Sequence, residues 1–161
     1  MGYWIALIHN CFANCESFLY SFSPIKSIGD ELMFFIEESD LLDSSFTPLQ
    51  IYDALWQIAT DKTSIFPEVK IGATYCKNVY PITFIKNNRD YYGLGIDLAA
   101  RLKALAKPKQ VIVDSMFYDK IMSDYNGIGN KNDFLSVRNM TGPEKQPIKG
   151  IAQDVTFYRC S

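Results

Sequence analysis

An α+β fold, a mixed sheet covered by helices, is predicted for this chain by three observations. Helical and extended patterns interleave with hairpins instead of following a strict strand-helix-strand order. The run Val69-Lys70-Ile71-Gly72-Ala73-Thr74-Tyr75-Cys76 alternates, with Val69, Ile71, Ala73 and Tyr75 on one face, as a strand does. From Ile96, the positions Ile96, Leu98, Ala99, Leu102 and Leu105 line one side of a helix that Pro108 stops.

The 161 residues, 48% hydrophobic and 21% charged, suffice for one globular domain, 1–161, with a sizeable core. A formal net charge of -2 and the lack of a basic run argue against a nucleic-acid surface. No stretch is long and apolar enough for a transmembrane helix. Met1-Gly2-Tyr3-Trp4 lacks a charged signal-peptide start, so a cytoplasmic protein is expected. Cys11 and Cys15, four apart with His9 nearby, have a spacing that a metal could use. With Cys76 and Cys160 lacking ligand-spaced neighbours, all four are read as reduced thiols. His9 is the single histidine, which leaves little case for a histidine general base.

In chain order, Ile5, Ile8, Phe12, Cys15 and Leu19 recur at helical spacing and predict a helix over Trp4 to Tyr20. Ile25 to Ile28 and Leu32 to Ile36 read as two strands of a hairpin, and Glu37 to Ser45 as a polar connection. Thr47-Pro48 opens a helix to about Thr60, the Thr capping and the Pro filling the first turn. Val69 to Cys76 and Val79 to Ile85 are expected to pair, and Lys86 to Asp90 to form a loop. Gln110 to Asp114 is a short buried strand, after which Ser115 caps a helix through Met122. The loop Tyr125 to Asp133 carries two glycines without the lysine and hydroxyl of a phosphate loop. Phe134 to Val137 and Val155 to Tyr158 read as late strands, separated by Thr141 to Gln153.

The hairpin tip Gly29-Asp30-Glu31 is the first chemical signal. Gly29 supports a tight turn, and Asp30 is either an ordinary turn residue or an oxygen ligand for a hard cation such as magnesium. The wider pattern bears on that choice. Lys26-Ser27-Ile28-Gly29-Asp30-Glu31 resembles the Lys-x-x-Gly-Asp hairpin of class III nucleotide cyclases. Asp90-Tyr91-Tyr92-Gly93-Leu94-Gly95-Ile96-Asp97-Leu98-Ala99-Ala100-Arg101-Leu102 is similar to that family's Asp-x-x-Gly-x-x-Val-Asn-x-Ala-x-Arg segment. Ala106-Lys107-Pro108 with Gln110 to Val113, and Lys149-Gly150-Ile151 ahead of Val155 to Tyr158, resemble the segments that follow there.

That resemblance implies a ferredoxin-like class III nucleotide cyclase fold and the conversion of a nucleoside triphosphate to a 3′,5′-cyclic nucleotide and pyrophosphate. It implies two magnesium or manganese ions, with Asp30 the second metal aspartate. Arg101 would stabilise charge on the α-phosphate. Lys26 and Asp90 would read the base, and Tyr92 and Lys149 would contact the nucleotide. Lysine and carboxylate match the edge of adenine and equally of cytosine. The wording of the motifs is most similar to the bacterial antiphage pyrimidine cyclases, which make cyclic UMP or cyclic CMP.

Two departures qualify this. Asp97 stands where the family has a ribose-orienting asparagine. As an anion near a triphosphate it is expected to be protonated, turned away, or paired with Lys103 or Arg101. The family's opening strand with the first metal aspartate is expected to be absent, since only 29 residues precede Asp30 and the Trp4 helix takes the place that follows it. The domain is therefore read as N-terminally incomplete and of little activity alone. One expectation is a head-to-tail homodimer in which one protomer gives the metals and the other gives Lys26, Asp90 and Arg101. The alternatives are an adenylate cyclase acting on ATP, or a silent cyclase-like dimerisation module.

Overall fold

The computed structural model describes residues 4–9, 26–28, 31–44, 46–61, 69–77, 80–85 and 88–161. In chain order these form β1 (Trp4–His9), β2 (Lys26–Ile28), β3 (Glu31–Glu37), α1 (Glu38–Ser44), α2 (Pro48–Thr60), β4 (Lys70–Cys76), β5 (Tyr80–Ile85) and β6 (Asn88–Tyr92). There follow α3 (Leu94–Leu105), β7 (Gln110–Asp114), α4 (Ser115–Gly127), α5 (Leu135–Arg138), β8 (Met140–Gln146) and β9 (Val155–Cys160). The main sheet has seven strands in the order β2-β3-β1-β4-β7-β9-β8. Only the β4–β7 pair is parallel; the others are antiparallel. The α+β architecture with a mixed sheet is thus as expected.

β4 and β7 are buried on both faces, which divides the core in two. Phe34, Ile36, Ile71, Ala73, Tyr75, Val111 and Val113 turn to one face, where they meet Ile51, Leu55, Phe117 and Ile121 of α2 and α4. A side chain as fully enclosed as Phe117 contributes about 2 kcal/mol of apolar burial. Leu102 and Ala106 pack on the opposite face with Ile112, Phe157 and Ile148. The start of α2 is as the sequence predicts: the Thr47 hydroxyl accepts from the Gln50 backbone N–H, and Gln50 Oε1 accepts from the Thr47 N–H.

Several expectations are corrected. The first strand is present: Trp4–His9 is extended and lies between β3 and β4, in register Ile8 with Met33 and with Gly72. A continuous apolar run satisfies both helical and extended templates, and an interior strand of a sheet covered on both faces has that composition. The rest of the expected helix, 10–20, lies outside the described residues. β4 pairs with β1 and β7, whereas β5 pairs with β6 in a separate two-stranded sheet, and the expected loop at Asn88 to Asp90 belongs to β6. The polar connection after β3 contains helix α1. Leu135–Arg138 is one helical turn, and the strand comes later, Met140–Gln146. Gly142-Pro143 reads locally as a break, yet β8 is an edge strand with a bulge, where a missing N–H donor is tolerated.

Helix α4 is capped by Asp114 and not by Ser115. The buried Asp114 carboxylate accepts from the Phe117 N–H at 3.0 Å and from the Tyr75 N–H at 3.2 Å, joining β4 to the helix N-terminus. Burial is the dominant influence and pushes its pKa up to about 7; the Phe117 and Tyr75 N–H groups oppose that, and Asp119 reinforces it.

Helix α3 lies unusually close to β4. A Cβ at Gly72 would stand 2.1 Å from the Ala99 carbonyl oxygen and 2.4 Å from the Lys103 nitrogen, both backbone atoms that cannot rotate away. Gly72→Ala is therefore expected to cost about 3 kcal/mol, read as a fall in the urea unfolding midpoint. For Asp114 the folded-state pKa lies above the unfolded value, so its contribution to stability is present below pH about 4 and is lost as pH rises through about 7. Urea midpoints at pH 5 and pH 8 should accordingly drop more for the wild type than for Asp114→Asn.

Candidate active site

Two of the residues singled out from sequence, Asp97 and Arg101, lie on helix α3. Its placement comes from two glycines. Gly72 admits the helix backbone against β4, and a Cβ at Gly95 would lie 2.3 Å from the Cys76 Cβ. The Gly95 carbonyl accepts from the Thr74 hydroxyl at 2.8 Å, so the first turn is hydrogen-bonded to the strand as well as packed on it. With Ile96, Ala99 and Leu102 buried, Asp97 and Arg101 fall one turn apart on the helix, Asp97 exposed and Arg101 half-buried.

The partner of Arg101 is the turn at Lys149-Gly150. Ile148 anchors that turn by packing against Leu102, Ala106, Ile112 and Phe157, and the Ile151 N–H closes it on the Ile148 carbonyl at 3.0 Å. Gly150 has φ +86°, in the left-handed region. A Cβ there would be 3.1 Å from Arg101 Nη2 and 3.7 Å from Cζ. The guanidinium thus rests on a bare stretch of backbone, with the exposed Lys149 next along the chain. The planar guanidinium fork is suited to phosphate oxygens, and Lys149 on the same turn is exposed.

The remaining expected residues are distributed over the strands. Lys26 opens the three-residue edge strand β2, in register with Met33. Asp90 and Tyr92 lie on β6, in register with Ile82 and Tyr80. Asp30 lies outside the described residues. Of the possibilities for Asp97, pairing with Lys103 is overturned: Lys103 forms its ion pair with Glu31, the residue after Asp30. Asp97 makes no ion pair with a described residue and faces solvent.

A two-metal centre needs paired carboxylates. β1 contains no carboxylate, and the chain has none before Glu16. Glu31 is already neutralised by Lys103. Among the described residues no three His, Cys, Asp or Glu side chains come together as a metal site. Among the described residues, no pair of carboxylates is gathered for two metal ions.

Cys76 and Cys160 are buried and outside any disulfide, and burial pushes each thiol up to about 11, as reduced core thiols require and as a nucleophile does not. Sequence reasoning missed the Glu31–Lys103 pair and the structural use of Gly72, Gly95 and Gly150. An isolated glycine within an alternating strand is itself a sign of close backbone approach, and Gly72 carried that sign. No helix among the described residues is long and apolar enough to cross a membrane.

No family model matches the chain, and no curated protein matches it by sequence. Solved structures do. The adenylyl cyclase CyaB from P. aeruginosa superposes with a TM-score of 0.66 at 14% identity, over 99% of this chain and 94% of that one. An adenylate cyclase from Trypanosoma brucei gives 0.68 at 13% identity, over 99% and 88%. The guanylate cyclase domain of RhGC from Catenaria anguillulae, solved with GTP, gives 0.58 at 9% identity, over 99% and 96%. The chain has the fold of class III nucleotide cyclase catalytic domains.

Gly150→Ala forces a side chain into the left-handed region and against the guanidinium, so it should cost about 1–2 kcal/mol of stability. It should also weaken pyrophosphate binding in calorimetry, whereas Lys149→Ala should weaken pyrophosphate binding while leaving the thermal midpoint in place.

Proposed function

We propose that this chain is a nucleotide cyclase domain that takes a nucleoside triphosphate to its 3′,5′-cyclic monophosphate and pyrophosphate. The observation that carries this is the Arg101 guanidinium lying on the Lys149-Gly150 turn, within a fold of the cyclase class. In the reaction the ribose 3′-oxygen loses its proton and bonds to the α-phosphorus. The bond to the bridging oxygen of the β-phosphate breaks, and pyrophosphate departs. Negative charge builds on the α-phosphate oxygens and on the leaving group. Arg101 holds the first through its fork, Lys149 the second, and Asp97 accepts from a ribose hydroxyl.

The substrate in this reading is a pyrimidine nucleotide, UTP or CTP, in bacterial antiphage signalling. Lys26 and Asp90 contact the base edge and Tyr92 narrows its pocket. Two copies assemble head to tail, so that the Arg101 and Lys149 of one face the hairpin tip of the other, with Asp30 as the surviving metal ligand for magnesium or manganese. The carboxylate-free strand β1 favours a second reading, a cyclase-like module that binds nucleotide and dimerises without turnover.

Both are tested by presenting the chain with each of the four ribonucleoside triphosphates and manganese. UTP or CTP should bind more tightly than ATP or GTP, and Arg101→Ala should weaken binding about tenfold. Turnover by the chain alone should be slight. His9→Asp, which puts a carboxylate at the end of β1 in register with Leu32, should raise it. A His9→Asp variant that binds but never cyclises selects the module; absence of nucleotide binding at millimolar concentration sinks both.

A further inference from the structure

We infer that Arg159 is a positioning residue, holding the last turn of α3 on the β8–β9 hairpin so that Arg101 and the Lys149-Gly150 turn keep one spacing; the inference rests on the nucleotide-binding function proposed above. Arg101 and that turn lie together in one chain, yet they come from separate elements, the helix and the connection between β8 and β9. Whatever fixes the helix on the hairpin fixes their distance.

The Arg159 guanidinium meets three elements at once. Its Nη1 donates to the Leu105 carbonyl at 3.0 Å and to Gln110 Oε1 at 2.9 Å, and its Nε donates to Glu144 Oε2 at 2.5 Å. Leu105 ends α3, Gln110 opens β7, and Glu144 lies on β8 in register with Phe157. The carbonyl that ends a helix has no N–H ahead of it to accept from, and a cation beside it also suits the helix dipole. Gln110 Oε1 accepts from the Lys107 N–H as well, at 3.1 Å, so the link from α3 to β7 is gathered on the same fork.

Register explains why Arg159 reaches the helix. Side chains alternate along β9, so Arg159 shares a face with Phe157. Phe157 is fully buried with Leu102, Ala106 and Ile148, and the Arg159 Cζ lies 5.3 Å from its ring centroid. The glycine contacts with β4 reach no further along α3 than Lys103. Beyond that point Ile112, Phe157 and Ile148 supply apolar contact, which has no direction, whereas the hydrogen bonds of Arg159 do. Gln110 is buried and Glu144 exposed, so the Nη1 bonds carry more of the tie than the ion pair. These bonds are all to protein, and Arg159 acts through Arg101 and the turn without touching substrate.

The test uses the full chain as wild type, Arg159→Met, Arg159→Lys, Gln110→Leu, Arg101→Ala and the double variant Arg101→Ala/Arg159→Met, with pyrophosphate and UTP as probes in calorimetry. Met keeps the stem over Phe157 and loses the fork; Gln110→Leu alters no charge and stands in if Arg159→Met does not fold. Pyrophosphate binding should weaken about fivefold in Arg159→Met and about threefold in Gln110→Leu, and return to within about twofold of wild type in Arg159→Lys. In the Arg101→Ala background, Arg159→Met should weaken it less than about twofold, since with Arg101 gone the spacing no longer matters. A bare loss of charge would weaken it equally in both backgrounds. The amides of Ala106 and Ile151, which close the helix end and the turn, should exchange faster in Arg159→Met, with those of α2 unchanged. Wild-type affinity or wild-type exchange in Arg159→Met overturns the inference, as does an equal loss with and without Arg101, or an Arg159→Lys no better than Arg159→Met. Binding of pyrophosphate but not of UTP removes the proposed function, while the pyrophosphate losses still decide the role of Arg159. A wild-type chain that binds neither ends both.

Discussion

Helix α3 lies against β4 at a separation that only glycine permits, and the geometry of the site descends from that contact. With no Cβ on Gly72, the Ala99 carbonyl and the Lys103 nitrogen settle directly over the strand, and at the helix start Gly95 does the same against Cys76. A hydrogen bond from Thr74 to the Gly95 carbonyl fixes the rotation of the first turn. Once that rotation is set, Arg101 must face the Lys149-Gly150 turn and Lys103 must face Glu31. The same helix thus delivers one cation to an open position and another to a closed one.

The charges follow a consistent division. Arg101 rests on backbone and Lys149 is exposed, so both remain available to an anion. The acid beside the hairpin tip is neutralised, and the strand that runs next to it brings no carboxylate. On the function proposed here, the chain is better equipped to hold phosphate oxygens than to hold cations. Its fold superposes over nearly its whole length on cyclase domains with which it shares 9–14% identity. At that identity the likeness is one of backbone arrangement, with most side chains different.

What was legible in the sequence was legible for local reasons. Thr47-Pro48 carries its own capping chemistry, the alternation from Val69 needs only neighbours two residues apart, and the apolar stripe of α3 needs only one helix. Each was found where expected. Trp4–His9 was not, because an apolar run lacks a period that would separate a buried strand from a helix, and only its neighbours β3 and β4 resolve it. The strand at Met140–Gln146 was hidden by Gly142-Pro143, which breaks an interior strand and is accepted in an edge strand. Whether a strand is at the edge is a property of the sheet.

For the site, the division is similar. Residue types and their spacing along α3 determined that Asp97 and Arg101 share a helix face one turn apart, because helical periodicity is local. The turn expected at Gly29-Asp30 lies outside the described residues. Only the tertiary structure decided that Arg101 is matched with Gly150 and Lys103 with Glu31, since these meetings depend on the order of strands in the sheet and the height of a helix above it. A charge can be read from a single letter; its partner is set by how closely two backbones approach, which here rests on the hydrogen atom that glycine carries in place of a side chain.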